Sequence, residues 1–276
     1  MTQSDTPVQS ILAVDTATDI LSVTLWIRSG EHAGRWTETC DAGLRHTERL
    51  MMIVDRLVSG TGITPRDLSL VACMRGPGSF TGLRIGMATA KGLAAAIRRA
   101  GCPLPVVSVP TLECIATALA AGSAQSTANA QPTANAQPTA IALPVIDGRK
   151  RRYYGACFRV DSGGVTRLTD DLDLAAPDLI DAARAAIAND PALSSTGSLP
   201  FIVTGPNADA FLAALPDSSR TGLVGDPEAR AGWSVELAAL ATTRAERGDY
   251  DDENAGPDYL RGSDAELSMR SKTTGS

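Results

Sequence analysis

Apolar and polar positions change period several times along the chain, and each change predicts an element. ILAVDTAT (11–18) is an apolar run broken by Asp15 and a threonine-rich turn, and ILSVTLWI (20–27) follows after a short polar gap. Two such runs, rich in β-branched and large apolar residues, predict a β-hairpin, with a third strand over RWTETC (35–40). From 44 to 59 the period lengthens. Leu50, Ile53, Val54, Leu57 and Val58 recur at i, i+3, i+4, i+7 and i+8, one face of a helix that Gly60 and Gly62 end. LSLVACM (68–74) reads as a buried strand. A glycine-rich loop over 75–80 then leads into a helix over 81–99. LPVVSV (104–109) is a further strand, and Pro110 suits the first turn of a helix through TLECIATALAA.

The pattern then starts again. ALPVIDGR (142–149) is an apolar strand ending in Asp147 and a turn, RRYYGACFRV (151–160) the next strand, and VTRLTDDL (165–172) a third. A helix over 177–189, the strand PFIVTG (200–205), a short helix in NADAFLAAL and an amphipathic helix WSVELAALATTRAERG (233–248) complete it. LAVDTATDILSVTLW and LPVIDGRKRRYYGACF echo each other as strand, aspartate, turn and strand. The repetition predicts an α/β chain of two related lobes, each a three-strand unit followed by helices. The N-terminal lobe is expected over 1–109, with the helix at 232–248 and the tail PDYLRG (257–262) packing on it. The C-terminal lobe is expected over 110–231. It contains a hexapeptide repeat, TANAQP at 127–132 and 133–138 with a decayed copy at 139–144. That repeat has no apolar face and predicts a mobile loop over 122–140; the polar stretch 263–276 is expected to be disordered.

Composition narrows the chemistry. Apolar residues make up 43% of the 276, but aromatics only 4%, so the core is built from Ala, Val, Leu and Ile. The formal charge of −6 argues against a chain that coats nucleic acid by itself. Five scattered cysteines without a CxxC pair read as reduced buried thiols, and MTQSDTPVQS lacks the basic start and apolar run of a secretory signal. No apolar run approaches the roughly 20 residues of a membrane span. A cytoplasmic protein without membrane contact is the expectation. Only His32 and His46 exist, so no HExxH or HxxxH metal pair can be written and no metal is expected. Without HExxH, GxSxG or a Cys–His setting, a protease is disfavoured.

RGPGSFTGLRIGMATAKGLAAA (75–96) carries most of the remaining information. Its loop lacks the lysine of GxxxxGK[ST] and does not match GxGxxG, so Asp15, Thr16, Gly78 and Ser79 form only a candidate phosphate loop. Ser79 or Thr81 can cap the helix. Within it Gly82, Gly86, Ala90 and Ala94 form one small-residue row, and Ala88, Gly92 and Ala96 a second. Glycine inside a helix costs about 1 kcal/mol against alanine, so close approach of another backbone is the expected reason. Leu83, Ile85, Met87, Leu93 and Ile97 occupy the rest of the circumference, which predicts burial on more than one side. Met51 and Met52 lie outside the apolar stripe of the preceding helix; together the two helices predict a partner surface. Arg149, Lys150, Arg151 and Arg152 are four consecutive cations, either a solvated hairpin tip or a candidate tRNA contact.

ILAVDTAT, RHTERL, RGPGSFTGLRIGMATAKGLA, PTLECIA, VIDGRKRRYY and PDYLR occur in an order that resembles the bacterial TsaB (YeaZ) family over roughly residues 10–262, the repeat excepted. RGPGSFTGLRIG is the most specific of these pieces. The resemblance implies the two-lobe fold shared by actin, Hsp70 and sugar kinases. It implies a non-catalytic subunit paired with the transferase TsaD, in the assembly that places threonylcarbamoyl on N6 of the adenosine beside the tRNA anticodon. A TsaE-type ATPase joins that assembly, the donor is threonylcarbamoyl-adenylate, and the chain is expected to bind tRNA only through the complex. The partner contact implied lies at His46, Arg49, Leu50 and Ile53 on one helix and at Gly82, Arg84, Ile85, Met87, Ala88 and Lys91 on the next, to which the small row adds Gly86. No resident cofactor is implied, ATP or ADP being a candidate only at the heterodimer seam. A bare apolar face predicts a homodimer when the partner is missing. The alternative is an ATP-hydrolysing or kinase-type enzyme of the same fold, using Asp15, Thr16 and Asp147. Pro206 and Asn207 in VTGPNADAF depart from the expected glycine and small residue there, which weakens nucleotide binding.

Overall fold

The structure is a computed structural model that describes residues 8–43, 45–99, 102–124, 138–193, 199–226 and 232–260. In the first lobe β1 (Ser10–Asp15), β2 (Ile20–Ile27) and β3 (Gly34–Asp41) form an antiparallel meander. Helix α1 (His46–Gly60) leads to β4 (Leu70–Gly76), which pairs parallel with β1. Helix α2 (Phe80–Ala96) and a minimal hairpin, β5 (Arg98–Arg99) with β6 (Cys102–Pro103), lead to β7 (Val106–Pro110), parallel to β4. The sheet order is β3-β2-β1-β4-β7. The α2 helix stops at Ala96, three residues before its predicted end. Ile97 is extended and buried, and its side chain is spent on the core instead of on another turn.

After α3 (Thr111–Ala124) the plan repeats. β8 (Pro138–Asp147) pairs with β9 (Tyr153–Gly155) at one end and β10 (Phe158–Asp161) at the other. β11 (Gly164–Arg167) and β12 (Leu172–Leu174) pair with β10 and β9 in turn. Thus RRYYGACFRV is not one strand: the pairing breaks at Ala156 and Cys157, both buried. Helix α4 (Ala176–Asn189) leads to β13 (Phe201–Thr204), parallel to β8. Helices α5 (Ala208–Ala214) and α6 (Asp217–Arg220) lead to β14 (Leu223–Gly225), parallel to β13, and α7 (Ser234–Glu246) closes the second half. Meander, helix, strand, helix, strand, helix occurs twice, the two-lobe α/β plan that the repeated sequence pattern predicts. Helix α3 continues through residue 124 and β8 begins at 138, so the expected loop over 122–140 is shorter at both ends. The rest of the repeat and the tail beyond 260 lie outside the described residues.

Three apolar clusters stack the layers. One lies between α1, α2 and the outer face of the first sheet, and includes Leu50, Ile53, Val54 and Val58. Burying each of these side chains contributes roughly 1.5–3 kcal/mol before entropy is counted. A second lies between the second sheet and α4 and α5. The third runs through the middle of the molecule, joining β1 and β4 of one sheet to β8 and β10 of the other through α3 and α7, with Leu112, Ile115, Phe158, Trp233 and Leu237 fully or almost fully buried.

Candidate partner surface and inter-lobe cleft

Helix α2 resolves its two small rows by facing them in opposite directions. Ser79 caps it, its Oγ accepting from Gly82 N at 3.2 Å. Gly82, Gly86, Ala90 and Ala94 are buried against the first lobe itself. A Cβ on Gly82 would lie 2.0 Å from the carbonyl oxygen of Thr16, and one on Gly86 2.3 Å from Thr16 Oγ1. That hydroxyl donates to Gly82 O at 2.7 Å. The close neighbour that these glycines admit is therefore the chain's own β1–β2 turn. Gly82 and Gly86 are buried, so a large side chain at either would act on the fold itself. His46, Leu50, Ile53 and Met87 are likewise turned inward, being 5%, 1%, 2% and 4% exposed. Their apolar atoms are consumed by the core beneath the two helices.

The second row points outward. Ala88, Gly92 and Ala96 are exposed, as is Ala95, with Ile85 and Leu93 half-buried beside them. Among the described residues nothing lies within 4 Å of a Cβ built on Gly92, so no packing among them explains that glycine. On the adjacent α1, Met51 and Met52 are 47% and 64% exposed, and Arg49 is half-buried. Of the implied contact residues, Ala88, Ile85 and Arg49 thus lie on the outward side. Gly92, Ala96 and the two methionines belong there as well; the offset of Gly92 from the first row was the signal for it in the sequence.

Arg84 and Lys91 are outward too, but both hold the C-terminal segment. Beyond α7 the chain runs past the open edge of β7, where Asp251 N donates to Val106 O, and then onto α2. Lys91 Nζ donates to the carbonyls of Glu253 and Ala255. Arg84 Nε donates to the Tyr259 hydroxyl at 2.8 Å, and its guanidinium lies 3.8 Å from the Phe80 ring centre. The Tyr259 and Phe80 ring centres are 4.7 Å apart.

This segment forms one wall of a cleft of ≈ 490 Å³ between the lobes. The first lobe supplies Ala17–Ile20 and Pro77–Thr81, the second Ile146–Lys150, Tyr154, Pro206 and Asn207, the tail Asp258–Leu260. Gly78 and Ser79 of the candidate phosphate loop line it; Asp15 and Thr16 do not. Asp15 is fully buried, its Oδ1 accepting from Ala17 N at 3.1 Å and its Oδ2 from Trp233 N at 2.9 Å. It fastens the start of α7 to the β1–β2 turn. Burial pushes its carboxyl up to about 6, against the two backbone donors that favour the anion. Across the cleft, Asn207 Oδ1 accepts from Asp147 N at 2.9 Å, so the residue that departs from the expected glycine pattern braces the end of β8.

At the tip that follows, the four-cation run divides. Arg152 is drawn inward, Nε donating to Asp173 Oδ1 at 2.8 Å. Arg149, Lys150 and Arg151 are exposed. They have φ of 64°, 55° and 61°, the left-handed region, at a cost of roughly 1–2 kcal/mol each.

Comparison with known proteins places this geometry. The family model for TsaD, tRNA N6-adenosine threonylcarbamoyltransferase, matches residues 41–214. The Escherichia coli protein TsaB is 41% identical over 106 residues, 38% of this chain and 42% of that one. Bacillus subtilis TsaB is 24% identical over 258 residues, 93% of this chain and 96% of that one. The chain belongs to the TsaB (YeaZ) family. Its matches to the first curated TsaB relatives span less than half of their length. The solved structure of YeaZ from Pseudomonas aeruginosa has the same fold, with a TM-score of 0.65 at 23% identity over 91% of this chain and the whole of that one. A second solved structure from that organism, alike in score and identity, is described as similar to a peptidase YeaZ. In this TsaB-family chain Cys73 and Cys157 are pushed up to about 12 by burial and Cys114 well above the ordinary thiol range, so none of the three is a ready thiolate.

Proposed function

We propose that this chain is a non-catalytic subunit that docks onto a TsaD-type transferase and supports N6-threonylcarbamoylation of the adenosine beside the tRNA anticodon. The observation that carries the reading is the outward side of α1 and α2, where Met51, Met52, Ala88, Gly92 and Ala96 are exposed together. Flexible thioethers beside a strip without bulk suit a helix of another protein, which can approach closely over the small residues while the methionines adapt around it. Without that partner the same face closes by pairing with a second copy. Arg84 and Lys91 contribute to docking through the C-terminal segment they hold. The kinase-type alternative uses Asp15, Thr16 and Asp147; Asp147 lines the cleft, but Asp15 and Thr16 are buried away from it.

Reconstitution tests the reading. The chain and the TsaD-type protein of the same genome are co-expressed, co-purified and assayed for tRNA modification, with each protein alone as control. Modification that depends on both, and none from this chain alone, is the expected result. Met52→Glu and Gly92→Trp should abolish co-purification while leaving the melting temperature of the free chain within a few degrees. Retained co-purification by both variants would remove the assigned surface. Full activity of the transferase without this chain would remove the function.

A further inference from the structure

The tip of the β8–β9 hairpin holds its residues in a backbone conformation that they do not favour. Arg149, Lys150 and Arg151 are the non-glycine residues with positive φ among the described residues. A turn of that shape ordinarily selects glycine or asparagine. The bonds that close it are made by the backbone and by neighbours: Gly148 N to Arg152 O, Arg152 N to Arg149 O, and Arg149 N to Asp147 Oδ1. None of these three needs a cationic side chain at 149 or 151. The Arg149 guanidinium, 78% exposed, approaches Asp147 only to 3.9 Å, a contact that adds little to stability. Three residues poor at the conformation, each a long cation, share three successive positions. Strain kept at one place points to a use for what is held there.

We propose that Arg149–Arg151 anchor the phosphodiester backbone of RNA; this rests on reading the chain as a subunit of a tRNA-modifying assembly. Phosphates ask for charge on a fixed mount and no base reading. The mount is present: Asn207 braces Asp147 from one side and Asp173 holds Arg152 on the other. Arg149 and Lys150 line the inter-lobe cleft, and Arg151 lies exposed beyond that lining, so the positive strip continues past the rim. A strip that leaves the cleft suits an extended polyanion better than one small anion inside it. On a chain of net charge −6 a local cationic patch orients a bound RNA without coating the surface with it.

The test uses the assembled complex with its transferase partner and measures tRNA affinity across a salt series. Two triple variants are compared: R149N/K150N/R151N and R149Q/K150Q/R151Q. Both remove the charges; asparagine tolerates the left-handed region and glutamine does not. Both should assemble normally, bind tRNA about tenfold or more weakly near 0.1 M salt, and lower the slope of log K against log salt by about 2–3. The asparagine variant should also melt about 3–6 °C above the wild type and above the glutamine variant, since it relieves the strain. Unchanged tRNA affinity and slope in both variants would overturn the proposal. So would weakened ATP binding with intact tRNA binding, which would give the tip to a nucleotide, or loss of assembly, which would give it to the partner contact. If the wild-type chain forms no complex at all, the functional reading fails first.

Discussion

Gly86 and Gly92 sit six residues apart on α2, and adding one methyl group should move stability in opposite directions at the two positions. At Gly92 the new Cβ meets nothing within 4 Å, so Gly92→Ala gains the intrinsic helical preference alone, about 0.8–1 kcal/mol, or a rise of about 2–4 °C in Tm. At Gly86 the Cβ would lie 2.3 Å from Thr16 Oγ1. That side chain must rotate and give up its buried hydrogen bond to Gly82 O, which costs about 1–3 kcal/mol, with a similar cost for the overpacking. After the helical gain is subtracted, Gly86→Ala should lose about 1–5 kcal/mol. Gly82→Ala should lose more, because the atom 2.0 Å away is backbone and cannot rotate aside. Urea unfolding of the purified chain gives all three values. A Thr16→Ala background sharpens the test: there Gly86→Ala should become neutral or mildly stabilising while Gly82→Ala stays costly. Gly86→Ala stabilising the wild type as Gly92→Ala does, or showing no coupling to Thr16, would refute the assignment of the inward row.

Further expectations concern charge, surface and mobility. Asp15 has a folded-state pKa of about 6 against an ordinary 3.8, so its contribution is fully present below about pH 4 and is lost as pH rises through 6, a change of about 3 kcal/mol. Comparing wild type with Asp15→Asn at pH 4 and pH 7.5 should show that fall only in the wild type; equal pH slopes would contradict it. Tyr259→Ala removes the ring contact with Phe80 and the bond from Arg84, so amide exchange over 249–260 should speed up while the global Tm moves by less than about 2 °C. Native thiol labelling should be fast at exposed Cys102 and should reach Cys73, Cys114 and Cys157 only on unfolding; rapid labelling of any of these three would contradict their burial.

The parts of the molecule legible in the sequence are those governed by local period. The run at 20–27 and the stripe from Leu50 to Val58 each carry their own pattern, and the repeated strand–aspartate–turn–strand motif announces the duplicated plan. What could not be read depends on distant neighbours. The spacing of Gly82 and Gly86 says that something comes close, but the partner is Thr16, sixty-six positions earlier than Gly82 in the bond between them, and no periodicity encodes it. The break between β9 and β10 is likewise invisible, because it is set by β11 and β12 pairing with different ends of one apolar run. Arginine and lysine carry no signal for a left-handed turn, so the tip at 149–151 looked like a plain charge run. Arg152 was separated from it only by the position of Asp173.

The seam between the lobes has a mechanical consequence. Trp233 and Leu237 of α7 and Leu112 and Ile115 of α3 belong to the same buried cluster as Phe158 and Val160 of the opposite sheet. Swinging the halves apart would wet that whole filling at about 25 cal/mol for every Å² uncovered, with no compensating contact. The groove therefore keeps a set width, like the notch of a cast bracket. If the chain docks as proposed, it meets its partner as a preformed body.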